Sequence, residues 1–466
     1  MQRVDAADWR AAVGAQIAAG HRFAGAWASE RAGIVSWHAL LVRRAQRRVL
    51  VCSARERCVD TIVDLAESAG WDEREAHDLY GLRFEGHSPM RALVAHPADR
   101  GRWTTPVTGA GVHQVAVGPI HAGVIESGHF RMHVVGERIL ALDLRLFYKH
   151  RGLERAAEGD TADGARIYVA RACAACAVAN ATAYAHAAED ALGLQPDRDL
   201  RIARTVALEL ERLYNHLHDL GALCSGVGFA AGAMAFAALK ERAQRVNAAL
   251  TGHRFLFGSV APRTGALVAD AGAVDSAAAQ LRELRTDSAA AWRELEFAGS
   301  LQARLGGVGV LAREDALRLG AVGPAARASG VHADVRADSP RLWYPGFGAA
   351  VAPSPAGDVA ARLALRAAEL ETTYDILAEL LVGALAAGST VALRSPQALG
   401  AGRVESPRGE TTCALTFAAG RIARLHLRTG SYANWPALAH AATGNLLPDF
   451  PLINKSFELC YACVDR

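Results

Sequence analysis

The chain has 466 residues, 51% of them hydrophobic and 21% charged, with a formal net charge of +3. Length and composition fit a globular protein of about two to four domains, each able to bury a core, and exclude disorder over most of the chain. Nothing more basic than the short Arg43-Arg44 and Arg47-Arg48 clusters is present, so nucleic acid is set aside as the main partner.

Residues 1 to about 95 read as a small α+β unit. Ile34 to Val42 and Arg48 to Ser53 are β-rich runs separated by the polar Arg43 to Gln46, a hairpin pattern. Val59 to Ala69 has apolar residues at helical spacing and stops at Gly70, which predicts a helix. The stretch from Trp71 to His87 is too densely charged for a core, so it reads as a solvated helix running into a turn, or else as a docking surface. From His96 to Gly111 the composition shifts to Pro, Gly, Thr and Arg, and the domain boundary is placed there.

The second part opens with an apolar run, Val115 to His121, followed by Phe130 to Val135 and Arg138 to Leu144, two alternating strands about Gly136-Glu137. From Thr161 onward, long Ala/Leu-rich patterns at intervals of three and four predict helices over Arg166 to Leu192, Asp199 to Leu220, Leu239 to Leu250, Ala269 to Phe297 and Val359 to Ala387. A large helical bundle is the natural outcome. Gly221 to Leu239 carries no charge over nineteen residues, but it is mostly Ala and Gly with polar helical sequence on both sides, and reads as interior helix and turn. Leu380 to Leu393 is too short to span a bilayer. The segment Ser431 to Arg466 reads as irregular.

Eight cysteines are present. Cys52, Cys58, Cys224 and Cys413 are scattered, which argues against a disulfide framework, and no secretory signal precedes Trp9. A reducing, cytoplasmic compartment is expected. The other four form two C-x-x-C pairs far apart in sequence, Cys173/Cys176 and Cys460/Cys463. Thiolates are soft ligands that select zinc, iron-sulfur, nickel or copper(I) centres over hard cations, and a C-x-x-C places two sulfurs on one turn. The spacing leaves two readings open: one four-sulfur metal site assembled by the fold, or two pairs of buried thiols.

At this point the chain resembles a known family. The Trp71 to His87 stretch is similar to the signature of the 30-kilodalton subunit of respiratory complex I, and Gly118 to His121 through Tyr148 to Glu154 is similar to the start of its 49-kilodalton partner. Both in one polypeptide resemble the large subunit of formate hydrogenlyase-type, energy-converting, membrane-bound nickel-iron hydrogenases. Further matching stretches are Glu211 to His216, Val322 to Asp338, Glu405 to Gly409 and Tyr432 to Pro436. The resemblance implies an α+β chain with a docking domain over residues 1–100 and a mainly helical, 49-kilodalton-like catalytic domain over 112–466, opened by a small β-hairpin region.

The resemblance further implies that Cys173 and Cys460 bind nickel terminally, and that Cys176 and Cys463 bridge it to an iron carrying carbon monoxide and cyanide. Pro407, Arg408 and Gly409 match the Pro-Arg-Gly motif whose guanidinium lies over the open metal site and bonds a cyanide; read alone, Arg408 is a surface-turn residue. Glu126 matches the carboxylate that takes protons from the terminal cysteine of the second pair, here Cys460; read alone, it is an exposed carboxylate at a hairpin entry. His121 matches the His that faces the quinone in complex I. The implied activity is reversible hydrogen oxidation and proton reduction. Iron-sulfur clusters are expected only in partners, since no further cysteine cluster could hold one. The implied partners are an iron-sulfur small subunit, a ferredoxin-like subunit, membrane antiporter-like subunits and metal-insertion maturation proteins, with the chain peripheral on the inner face of the cell membrane.

Three positions depart from the pattern. Ala174 stands where the family has Gly, Asn180 where it has His, and Leu459 follows Glu458 where it has Asp-Pro. Losses around a metal ligand commonly lower affinity or activity about ten- to a hundredfold. Two alternatives follow: a complex I-like electron-transfer or coupling subunit without nickel, and a structural zinc site.

Overall fold

The computed structural model describes residues 1–98, 103–121, 126–265, 267, 270–338, 341–344, 346, 355–385, 391–393 and 395–466. Parts of the proposed boundary (99–102), of the approach to Glu126 (122–125) and of the uncharged 380–393 stretch (386–390) lie outside them.

The first unit is a four-stranded sheet in the order β1 (Gln2–Arg3), β4 (Gln46–Ser53), β3 (Ile34–Arg43), β2 (Arg22–Arg31), antiparallel except for the β1/β4 pair. The expected hairpin turns between Arg43 and Gln46. One face packs Trp37, Leu41, Leu50 and Cys52 against Trp9 and Val13 of α1 (Trp9–Ala18) and Ala76 of α2 (Gly70–Tyr80). The other face packs Trp27, Leu40 and Val49 against Leu399, Ala401 and Ala414 of the second unit. Both faces of the sheet are covered, so its strands read as runs of buried residues rather than as an alternation.

Two expectations in this unit are corrected. Val59 to Ala69 is not a helix but a short strand, Cys58–Asp60, a turn, and one 3-10 turn, Glu67–Ala69. The strand pairs in parallel with Arg83–Glu85, and the Ile62 N–H is taken by the Glu73 carboxylate at 2.9 Å, so that backbone is committed elsewhere. The charged stretch is a helix but not a solvated one: Asp72, Glu73 and Glu75 are all buried.

The second unit begins with an antiparallel sheet of β5 (Val112–Val117), β6 (His129–Val135) and β7 (Arg138–Arg145). Its bundle consists of α3 (Ala177–Leu192), α4 (Arg198–Gly226), α5 (Ala230–Thr251), α6 (Ala271–Glu296) and α7 (Val359–Leu380). Asp197, Asp270 and Asp358 cap α4, α6 and α7 by accepting a first-turn N–H, which fixes where these helices start. The uncharged Gly221 to Leu239 stretch is the α4–α5 corner, and part of it faces outward, with Met234 73% exposed. Among the described residues no helix is long and apolar enough to cross a membrane.

Sequence periodicity missed a second antiparallel sheet, β8 (Gly400–Ser406), β9 (Gly409–Ala418) and β10 (Arg421–Arg428). Strand β8 lies directly on the backbone of α3: a Cβ at Gly402 would stand 1.9 Å from the Ala183 carbonyl oxygen. The close approach needs the small residues on both sides, and it runs β8 toward the N-terminal end of α3. The segment read as irregular is largely helical, with α8 (Gly430–Ala442), α9 (Phe450–Phe457) and α10 (Ala462–Asp465). Thr429 caps α8 through its side chain.

Candidate metal centre

The first cysteine pair sits where a helix was expected to run on and does not. Arg166–Ala170 forms a short helix, Cys173 is extended at φ −152°, and Ala174–Cys176 makes a single turn before α3 begins. The two thiols are thereby presented from a turn rather than from opposite sides of a helix. Helix α4 holds that turn and the start of α3 with three side chains on one face: Glu211 accepts the N–H of Val178 and Ala179 at 2.6 and 3.0 Å, Tyr214 Oη donates to the Ala174 carbonyl at 3.0 Å, and Asn215 Nδ2 donates to the Ala175 carbonyl at 2.8 Å. Burial pushes the Glu211 carboxyl up to about 8 in spite of those two N–H groups.

The second pair is carried by the approach to α10. The Cys460 N–H donates to Ser431 Oγ at 3.0 Å, and the Cys463 carbonyl accepts from Thr429 Oγ1 at 3.2 Å. All four paired sulfurs lie within 4.8 Å of one another, with Cys176 and Cys460 3.9 Å apart. Cys52, Cys58, Cys224 and Cys413 belong to other elements, as expected. Hydrogen bonds from Cys173, Cys176 and Cys463, with the Arg408 charge adding to them, hold the Cys460 thiol well below its ordinary value, while sharing a proton with the same neighbours pushes Cys176 up. Four soft donors, three of them buried, converging on one point fit a thiophilic metal.

Arg408 is not a surface residue. It occupies the two-residue turn between β8 and β9, closed by the Ser406/Gly409 pair, and is 3% exposed. Gly409 has φ +121°, and a Cβ there would press on Val322 and Gly323, so this turn is seated against the second unit's interior. The guanidinium donates through Nη1 to Asp219 and through Nη2 to Asn215 at 3.2 Å. Burial opposes its charge, but Asp219 and Cys460 outweigh that and raise its pKa further. Pro407 sets up the same turn and does not line the cavity beside the cysteines.

That cavity, of about 230 Å³, is lined by Cys173, Cys460, Arg408, Glu126, His218 and Lys240 among others. Glu126 accepts the Ala462 N–H at 2.7 Å and is half-buried, so it is tied to the second pair rather than standing free at a hairpin entry. His121 lies outside the cavity, on an exposed position. Sequence reasoning did not find Asp219, His218, Lys240 or the role of Glu458, which lies 3.4 Å from His218 Nε2. They come from three separate elements, and only their distance in space relates them. Asn180, one turn after Cys176, is fully buried, and neither its amide nitrogen nor its amide oxygen has a hydrogen-bond partner.

Residues 10–106 match the family described as respiratory-chain NADH dehydrogenase, 30 Kd subunit, and residues 226–398 and 387–466 match the 49 Kd subunit family. Formate hydrogenlyase subunit 5 of Escherichia coli is 32% identical to the chain, the alignment covering 86% of it and 75% of the relative. The chain belongs to the family of formate hydrogenlyase-type large subunits. Hydrogenase-4 component G of Escherichia coli is 30% identical, over 92% of this chain and 80% of its own length. A chain of the membrane-bound sulfane sulfur reductase, an archaeal respiratory membrane complex, shares the fold at a TM-score of 0.69 and 23% identity, covering 80% of this chain and 100% of that one. The family is one of oxidoreductase subunits, and a further relative, 28% identical over 76% of this chain and 87% of its own length, is the membrane-bound hydrogenase subunit alpha of Pyrococcus furiosus.

Proposed function

We propose that this chain is the catalytic large subunit of a membrane-associated nickel-iron hydrogenase, performing reversible hydrogen oxidation and proton reduction and passing electrons to an iron-sulfur small subunit. The observation that carries the reading is the convergence of two C-x-x-C pairs, 284 residues apart at the Cys176/Cys460 contact, on a cavity that also holds Arg408 and Glu126. Cys173, Cys176, Cys460 and Cys463 together would hold the nickel and iron. The centre, when bound, supplies the redox chemistry of dihydrogen.

The chain's own residues supply the rest. Arg408, fixed by Asp219 and Asn215, presents a permanent positive charge at the cavity wall, where it orients what binds there and offsets the thiolates' negative charge. Glu126, which accepts the Ala462 N–H and lines the same cavity as Cys460, would take the proton that leaves the Cys460 sulfur. Helix α4 keeps the first pair's turn in place, so the donor set is held rather than gathered on binding. Cys176 and Cys463 are buried, while Cys460, which lines the cavity with Cys173, is part-exposed.

A second reading, a complex I-like coupling subunit that keeps the cysteines but no nickel, is favoured by one observation: Asn180 leaves two buried polar atoms unpaired beside Cys176, where the family pattern has His. Nickel, iron and zinc analysis of the purified complex, with hydrogen turnover measured on the same material, tests the proposal. Nickel and iron near one per chain with turnover is expected; zinc alone, or no metal, sinks it.

A further inference from the structure

Helix α2 of the first unit carries two buried carboxylates one turn apart, Asp72 and Glu75, and both reach across to the second unit. Asp72 accepts from Arg428 Nε at 3.1 Å, and Glu75 accepts from Arg466 Nη2. The two arginines flank one ring: Arg428 lies 5.5 Å and Arg466 4.9 Å from the centroid of Tyr432. All four charged residues are less than a tenth exposed. Such pairs add little net stability, but breaking one strands a buried charge, so they fix one arrangement against others.

Both arginines belong to the segments that hold the second cysteine pair. Arg428 ends β10 and is followed by Thr429, whose hydroxyl donates to the Cys463 carbonyl, while Ser431 beyond it accepts the Cys460 N–H. Arg466 lies next to α10; its N–H closes on the Ala462 carbonyl at 3.3 Å, and its own carbonyl accepts from Arg151 and Gly152 at 3.1 Å. The first pair is held differently, by α4 within the second unit alone. The segments of the second pair are thus tied to α2, whereas the turn of the first pair is not.

We propose that Asp72 and Glu75 are positioning residues for the second cysteine pair, acting through Arg428 and Arg466, and that the first unit is part of the frame of the metal centre. This rests on the reading that the four cysteines hold a metal. It makes the first unit more than a docking module: its acidic helix determines where Cys460 and Cys463 stand relative to Cys173 and Cys176.

The test uses the full-length chain freed of metal and titrated with Co²⁺, whose thiolate charge-transfer and d–d absorption report the number and arrangement of sulfur ligands independently of hydrogen turnover. D72N and E75Q keep shape while removing the charge, and are expected to raise the cobalt Kd about tenfold or more and to shift the d–d bands. R47Q breaks another ion pair at the same seam, Arg47 with Asp190 at 3.1 Å, away from the cysteine segments, and is expected to leave both unchanged. In E75Q, Arg466 keeps Glu154 at 2.8 Å as a partner, so this variant retains the fold and carries the test if D72N does not fold. Wild-type affinity and spectrum in folded E75Q overturn the proposal, as does an equal loss in R47Q. A wild-type chain that binds no cobalt through sulfur overturns instead the four-thiolate reading beneath it.

Discussion

Arg408 and Asp219, 189 positions apart in the chain, form a buried ion pair at the wall of the cysteine cavity, and Asp219 is in turn held by Arg366 Nε at 2.9 Å. The second contact keeps the carboxylate from turning away, and so fixes the guanidinium's direction as well as its charge. Arg408→Lys keeps the charge but loses the rigid planar fork whose two nitrogens reach Asp219 and Asn215. We expect hydrogen turnover to fall about a hundredfold or more with nickel and iron content unchanged, the magnitude typical of removing one oriented donor from a reacting site. Turnover within threefold of wild type at full metal occupancy would show that orientation of the guanidinium is not needed.

Glu126→Gln should abolish turnover and leave the metals in place. Gln keeps an oxygen to accept the Ala462 N–H but cannot take up a proton at neutral pH. A loss of about a hundred- to ten-thousandfold is the expected scale for general acid-base function. Near-normal turnover with full nickel would move the proton exit elsewhere, with Glu458 and its neighbour His218 the next residues to examine.

Stability should fall as the pH drops below neutrality, and His38 should be one cause. It is buried at the seam between the units, its ring stacked 5.1 Å from that of Trp27, with Ser29 Oγ at 2.9 Å from Nε2. Burial first, then the charges of Arg424, His426 and Arg3, depress its pKa from 6.5 to about 3. The unfolded chain therefore binds a proton the folded one refuses: the contribution is complete above pH 6.5 and is lost as pH falls from there toward 3. His38→Phe retains the stacking and removes the proton. Urea midpoints measured at pH 7.5 and 5 should differ less in this variant than in the wild type, and an unchanged difference would clear His38 of the effect.

Gly402→Ala should be disproportionately costly for one methyl group. The added carbon has nowhere to go but into the Ala183 carbonyl, so either β8 or α3 must shift. Destabilisation of about 2–4 kcal/mol is expected. Because β8 leads to Arg408 and α3 starts beside Cys176, metal retention should fall with it; a thermal midpoint equal to wild type would mean that the contact is looser than the structure has it.

The long helices and the two hairpins were legible because their periodicity is local: each residue's neighbours in sequence report its face. The β8–β10 sheet was not, since Gly400 and Gly402 interrupt β8, and β8 and the first part of β9 are buried throughout, so no alternation marks a face in the sequence. The same limit explains α2. Its charges look solvated from sequence, and the partners of Asp72 and Glu75, Arg428 and Arg466, stand more than 350 positions away. The four cysteines were readable from ligand chemistry and family resemblance, whereas the hold of Glu211, Tyr214 and Asn215 on the first pair's segment spans 33 to 40 positions and leaves no local pattern.

The distance along the chain between the two cysteine pairs bears on how the protein is made. Closing a loop of this length costs little more entropy than closing a moderate one, so separation by itself is no barrier. What it imposes is an order of events: neither half-site has more than two sulfurs until α4, β8 and β10 are all seated between them. A chain arrested anywhere along that path offers a metal two weak bidentate sites in place of one strong tetradentate site. Tight capture of a metal by all four sulfurs would in that sense be an inspection of the finished tertiary structure, passed only by molecules whose most distant segments have already met.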